Sequence, residues 1–540
     1  MLEPKIPRVG EGAALFKYDE GREILAFLCS SGVVQVSPVH QSNQNLSRRS
    51  VLATIASSAL VNAASNPIGS IAKAFEGDRN RIILENQRVG TRDWMLTKTQ
   101  VDPSTKYRSP WVEGYASHTS ILGGETLQFM ISTTQPTMVD IDVFRMGYYA
   151  GDGGCWVQSL KSVACTTQPT PEPSEHRLMD CKWQVSAELP ISEAWLSGVY
   201  LAKLTEITDG NQSYIIFIVR DERASDFVFQ CSDHTWQAYN RWPSQFSLYD
   251  DGVAQWYWGS ESKVSFNRPY GKYCQILDAP LSTGSGEFFL WEFPFVHWLE
   301  REGYDVTYVS NTDTHRDSKT PLRGRGFLSV GHDEYWTIEM FRHVQDAVKQ
   351  GTSVGFFSGN AVCGKVEWDA MTRSIRRVGV FGPPGGTNEF QAMSSLKHDR
   401  PYANELIGAH STGPVTGGSD WVCVMPEHWV YENTGMEQGD RIPGLIGWEY
   451  HGDPAPIPGL KVIATGPMQS APNVFNGGTY TATVYESEKG NVVFNASTCW
   501  WADGLSAPPG YQSPSVYTSP KGVDARVQQI TKNVLHRMLK

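Results

Sequence analysis

The chain has 540 residues, 40% of them hydrophobic and only 19% charged, which supplies several packed cores and too little charge for extended disorder. Its net charge of -11 repels phosphate backbones, so nucleic acid is not expected as a partner. There is no internal repeat and no low-complexity tract.

Residues 1–74 read as an N-terminal extension unlike the rest. Residues 47–52, Ser-Arg-Arg-Ser-Val-Leu, precede a weakly apolar, uncharged stretch from Val51 to Ile71 that ends in Ala72-Lys73-Ala74. This pattern resembles a twin-arginine export signal, which predicts a periplasmic or secreted protein, or a cytoplasmic one if the signal is not used. Asn62, Asn66, Pro67 and Gly69 break the stretch, so no membrane span is expected from it. Such signals ordinarily open a chain, and the 46 residues before Ser47 point to an initiator near residues 33–46. Without residues 1–74 the net charge is -13 and eight cysteines remain. No Cys-x-x-Cys spacing occurs, which excludes a zinc ribbon or thioredoxin motif, while Cys155, Cys165 and Cys181 are close enough in sequence for one bridge.

From residue 81 to 222 the pattern is short and alternating. Strands are predicted at Thr126–Ser132, Val139–Phe144, Gly198–Leu204 and Tyr214–Val219, with turn formers such as Gly123-Gly124 and Asp209-Gly210 between them. Strands at this spacing with no helical period predict a β-sandwich of immunoglobulin-like size, with a surface loop at 166–176. From 223 to 540 strands alternate with helices. Strands are expected at Asp226–Cys231, Tyr304–Val309, Arg325–Val330 and Thr352–Phe357, and helices at Phe288–Glu302, at 337–350 with Thr337 as cap and Gly351 beyond its end, and at Val523–Lys540. This alternation predicts right-handed crossovers and a doubly wound α/β parallel sheet, finished by Gly/Pro-rich insertions over 380–500.

Ligands of an open parallel sheet bind beyond the carboxyl ends of its strands. Those ends carry Ser232 to Asn240, then Asp313 and His315 in a polar loop, then His332, Asp333 and Glu334, then Ser358-Gly-Asn360. The imidazole–carboxylate run His332 to Glu334, following Gly331 at a strand mouth, is the strongest candidate. Asp233 with His234 reads rather as a turn former with a surface histidine, and Asp313 with His315 as a solvated polar loop. Acyl transfer is disfavoured: no Gly-x-Ser-x-Gly elbow occurs, Asn360 stands where a nucleophile would, and Cys363 is expected in the following helix.

In order along the chain, Glu113-Gly-Tyr-Ala-Ser117, Phe144-Arg-Met-Gly-Tyr-Tyr149, Thr235-Trp-Gln-Ala-Tyr-Asn240, Ser247-Leu-Tyr249, Asn267-Arg-Pro-Tyr270, Gly331-His-Asp-Glu-Tyr-Trp336 and Ser358-Gly-Asn-Ala361 resemble the C-terminal region of the large (beta) subunit of N,N-dimethylformamidase and its relatives. Weaker similarity, as in Gly444-Leu-Ile-Gly-Trp-Glu449, continues toward the C-terminus. The resemblance implies a β-sandwich joined to a sheet like that of class I glutamine amidotransferases. It also implies a metal-dependent hydrolase of a small amide or related C–N bond, holding one ferric iron on Tyr239, Tyr249 and Glu334. His332 and Asn360 match polar residues beside the metal, giving His332, Glu334 and Asn360 as catalytic residues. Tyr270 is the competing second phenolate, and Tyr335 and Trp336 are read as packing.

Hard phenolate and carboxylate oxygens suit ferric iron over zinc. Trp236 and Trp242 are expected as apolar walls for a substrate without an amide N–H. Val362-Cys-Gly364 departs from the family's aromatic pair, which puts dimethylformamide itself in question. A small subunit or a homo-oligomer is a further expectation. The alternatives are zinc or manganese on His234, Asp313, His315 and His332, and an exported ligand- or carbohydrate-binding protein with a vestigial metal site.

Overall fold

In the computed structural model, which describes residues 80–253, 257, 259–272, 280–378, 402–468, 478–512 and 522–540, the alternating segments of the first part pair into two sheets. A short helix α1 (Arg81–Glu85), capped by Asn80, leads in. The strands are β1 (Val112–Ala116), β2 (Ser120–Leu122), β3 (Thr126–Thr133), β4 (Thr137–Met146), β5 (Gly154–Cys165), β6 (Ala187–Pro190), β7 (Gly198–Glu206) and β8 (Gln212–Arg220). One sheet has the order β1-β3-β6, the other β2-β8-β7-β4-β5. Their inward faces share one core, in which Leu127, Phe129 and Ile131 meet Val139, Ile141, Val143, Ile215 and Phe217 at alternate positions. Cys155, Cys165 and Cys181 are separate buried thiols, so the bridge allowed by their spacing is not formed.

The second part is organised by β9 (Ser225–Cys231), β10 (Lys263–Ser265), β11 (Val306–Ser310), β12 (Gly324–Gly331), β13 (Tyr335–Trp336) and β14 (Ser353–Ser358). It continues with β15 (Gly364–Asp369), β16 (Ser374–Arg377), β17 (Ala409–Val422), β18 (Arg441–Pro454), β19 (Lys461–Pro467), β20 (Thr479–Glu486) and β21 (Val492–Asn495). The central sheet runs β11-β9-β12-β14-β21-β20-β19. Its first five strands are parallel, and β20 and β19 close it antiparallel. Numbered by sequence, the parallel strands lie in the order 2-1-3-4-5, so the chain reverses direction across the sheet between β9 and β12.

Helices cover both faces of this sheet: α2 (Asp233–Tyr239), α3 (Phe288–Trp291), α4 (Phe293–Arg301), α5 (Asn311–Arg316), α6 (Ile338–Gln350), α7 (Asn404–Ile407) and α8 (Ala525–Met538). Phe227 and Phe229 pack with Phe295, Trp298 and Val527 of α4 and α8, whereas Val228 between them packs with Met340, Phe341 and Val344 of α6. Two-faced burial is why these strands read as continuous apolar runs.

Four local expectations are corrected. The helix expected over 288–302 is two helices, broken at Glu292, because Pro294 lacks the N–H that would continue the ladder and instead opens α4. Asp313 and His315 lie in α5 rather than in a loop, since Ser310 and Asp313 cap each other's backbone reciprocally. Cys363 is not helical; Asn360 and Val362 both adopt left-handed φ, which stops a helix, and β15 follows at once. The last helix starts at Ala525 behind the Asp524 cap, leaving Val523 51% exposed and off its docking face.

Sandwich and sheet belong to one compact unit, Asn80–Lys540. The fully buried Arg145 of β4 forms a bidentate pair with Glu300 of α4, at 2.7 and 3.0 Å, and Tyr308 donates to the same carboxylate at 2.9 Å. Arg48, Arg49, the cleavage motif at 72–74 and Cys274 lie outside the described residues. Among the described residues no helix is long and apolar enough to cross a membrane.

Candidate metal and active site

Three neighbouring parallel strands deliver the site at their carboxyl ends, where the strand order reverses. β9 runs into α2, whose last residue is Tyr239. β12 ends at Gly331, whose φ of +71° turns the chain so that His332, Asp333 and Glu334 follow; a Cβ at Gly331 would lie 2.4 Å from the Trp291 side chain. Thr235 of α2 fixes that turn by accepting from the backbone N–H groups of Glu334 and Tyr335 at 3.0 and 3.2 Å. β14 ends at Ser358, and Gly359 is required next because a Cβ there would lie 2.1 Å from the Glu449 carbonyl oxygen. That close approach brings β18 and its Glu449 side chain over Asn360.

Tyr239, Tyr249 and Glu334 meet. The Tyr239 hydroxyl donates to Glu334 Oε2 at 2.9 Å, the Tyr249 hydroxyl to that of Tyr239 at 2.8 Å, and both Glu334 oxygens are 3.4 Å from the Tyr249 hydroxyl. His332 Nε2 is 3.3 Å from Glu334 Oε2 and 2.5 Å from Glu449 Oε2, and Asn360 Nδ2 donates to that Glu449 oxygen at 3.0 Å. All these groups are buried; Tyr239, at 8%, is the most exposed. His332, Glu334 and Glu449 form a buried group able to hold a metal ion.

The electrostatics favour a cation. Burial and the Glu334 carboxylate push the Tyr239 and Tyr249 hydroxyls well above the usual phenol range. Burial also raises Glu449, offset by His332, while Glu449 and Glu334 hold the imidazole of His332 well above its ordinary value against its own burial. Two carboxylates and two phenols are thus gathered around one imidazole, with the Arg377 guanidinium behind Tyr335. A metal ion held here would favour the ionised phenols.

The other candidates fall elsewhere. The Tyr270 hydroxyl is buried without a partner and its ring packs edge-on against Trp236, so Tyr249 is the second phenol of the cluster. His234 bonds Thr312 and stacks on Trp368, Asp313 caps α5 and pairs with Arg220, and His315 bonds Thr337. The His234, Asp313, His315 and His332 ligand set is therefore not assembled. Trp242 packs with Tyr115 and Trp183 and donates to Glu113, and Trp236 donates to Glu292, so neither forms a wall of the site. Trp291 and Trp500 do, with Trp291 against the His332 ring.

Two functional neighbours were not singled out from sequence. Glu449 belongs to the weaker stretch 444–449, and its signal was a carboxylate within the mostly apolar run Leu445-Ile-Gly-Trp-Glu-Tyr450. Tyr335, read as packing, donates to the Tyr249 hydroxyl at 2.6 Å and accepts from Arg377 at 2.9 Å, extending the phenol chain to a buried guanidinium.

Comparison with known proteins identifies a family. A family model described as N,N-dimethylformamidase beta subunit-like, C-terminal, matches residues 140–514. No curated protein matches the chain. One solved structure, a family 123 glycoside hydrolase from Clostridium perfringens studied for glycolipid glycan hydrolysis, is 8% identical. It covers 50% of this chain and 48% of its own, about half of each, at a TM-score of 0.10, and carries no argument about fold or function.

Proposed function

We propose, since this chain belongs to the N,N-dimethylformamidase beta subunit-like family, that it is a hydrolase of a small linear amide or related C–N bond, dependent on a mononuclear iron held by Tyr239, Tyr249 and Glu334. The observation that carries the reading is the triangle of oxygens on those residues, with edges of 2.8 to 3.4 Å. Ligand oxygens roughly 2.0–2.2 Å from one ion stand about 2.8–3.5 Å apart, so the three fit a shared ion with little movement. Two phenols beside a carboxylate suit a hard, strongly acidic cation, which favours ferric iron over zinc or manganese.

When bound, the ion polarises the amide carbonyl and lowers the pKa of a water molecule. Glu449 is the carboxylate placed to accept that water's proton, because it faces the cluster without belonging to the oxygen triangle. His332, 2.5 Å from it, relays the proton toward the departing amine. Asn360 orients Glu449 through its amide and stands ready to donate to the developing oxyanion. Trp291 and Trp500 offer an apolar wall that keeps bulk water from the reacting carbon.

The test is elemental analysis and visible absorption of the purified protein, with Glu334→Ala alongside. About one iron per chain and a phenolate charge-transfer band are expected, both lost in Glu334→Ala together with hydrolysis of small formamides and acetamides. Full amide hydrolysis by metal-free protein, or unchanged metal content in Glu334→Ala, defeats the reading.

A further inference from the structure

A second charged site lies on the far side of α2, where the sandwich meets the Asn267–Tyr270 segment. Arg268 is 1% exposed, yet among the described residues no carboxylate pairs with it. Its Nε donates to Gln237 Oε1, its Nη1 to the carbonyls of Trp242 and Phe246, and its Nη2 to the carbonyl of Asn240, all neutral acceptors. These use four of the five N–H groups of a guanidinium.

Arg373, at the turn between β15 and β16, adopts a left-handed φ of 43° and donates only through Nη1, to the Ala116 carbonyl and Asn267 Oδ1. Asp250 and Asp180, the carboxylates whose charges reach Arg268 and Arg373, are engaged elsewhere, Asp250 with Ser247 and Arg241 and Asp180 with Ser265 and Asn267. Burying a cation without a counter-charge is expensive, and the arrangement persists only if something answers it. Burial pushes Arg268 down to about 10, and burial with the neighbouring Arg316 does the same to Arg373.

Both side chains line a small cavity of about 20 Å³ together with Tyr270, Tyr115 and His118. The Tyr270 hydroxyl is buried there with no hydrogen-bond partner. The space takes one water-sized particle. We propose that this cavity binds a halide-sized monovalent anion, chloride in solution, held by the guanidiniums of Arg268 and Arg373 and by the Tyr270 hydroxyl. Arg268 also grips the carboxyl end of α2 at Gln237 and Asn240, on either side of Tyr239. Anion occupancy therefore steadies the helix that presents a metal-site tyrosine, whatever reaction that site performs.

The test follows the melting temperature of the purified full-length protein as sodium gluconate is exchanged for sodium chloride or bromide at constant ionic strength. A saturable rise of about 1–3 °C is expected from binding to the native state alone. The halide midpoint should weaken about tenfold in Arg373→Gln, which removes a charged donor, and several-fold in Tyr270→Phe. Tyr270→Phe deletes only a hydroxyl that has no partner, so it reports on the site even if Arg373→Gln folds poorly. Crystals grown in bromide should show one anomalous peak in contact with Arg268. Identical melting in gluconate and chloride, unchanged midpoints in the variants, or water alone in the cavity of a bromide-grown crystal overturns the proposal.

Discussion

Glu449 and Glu334 both face Nε2 of the same imidazole, but only Glu334 touches the phenols. That asymmetry separates holding a metal from moving a proton. Glu449→Gln keeps the shape and removes the proton acceptor, so metal content should stay unchanged while kcat falls about 100- to 10,000-fold. Parallel loss of metal would instead make Glu449 a ligand. His332, Glu334 and Asn360 were legible at strand ends, whereas Tyr239, at the end of α2, and Tyr249, in the loop after it, came from the family resemblance of their motifs. Glu449 was not legible, because it lies within an antiparallel strand and reaches the site only through the close approach at Gly359. Tyr335 was misjudged because an aromatic beside a tryptophan looks like core; its hydroxyl's partners, Tyr249 and Arg377, are remote in sequence.

Individual elements act here as mounts for short turns. Thr235, in the first turn of α2, accepts from two buried N–H groups, those of Glu334 and Tyr335. Thr235→Val preserves shape and removes that acceptor, a loss of about 1–3 kcal/mol. Lowered melting together with weaker metal retention is expected, and a variant with wild-type melting and metal content would show that the turn needs no such support. Strand and helix positions were largely readable from period and caps, as with Thr337 and Gly351 around α6. What escaped were breaks set by one residue, such as Pro294 within the apolar run of 288–302, and the left-handed residues after β14, where tertiary contacts override local preference.

Across the molecule, two histidines far from the metal cluster couple stability to pH. Burial, with His315 and Arg316 nearby, pushes His234 down to about 3, and burial beside Arg301 pushes His297 down to about 4. Histidine in the unfolded chain titrates near 6.5. Below that pH the unfolded state takes up protons the native state refuses, so stability is full above about 6.5 and falls as the pH drops toward 4. The slope is up to about 1.4 kcal/mol per pH unit for each histidine. Melting curves between pH 7.5 and 4.5 should show this decline, made shallower by His297→Gln; an unchanged slope in that variant would remove His297 from the account. The sheet's strand order, by contrast, follows from pairings that no local window contains, and the Arg145–Glu300 lock between sandwich and sheet joins residues 155 positions apart.

The carboxylate of Glu449 is met by Asn360 across 89 residues of intervening chain. On the ribosome, a polypeptide that has emerged only through β14 presents the tyrosines, His332 and Glu334 but lacks β18, and with it both the second acid and the backbone that seals Gly359. The second acid and the backbone that packs over Gly359 therefore join the site only after the C-terminal strands have been released and docked.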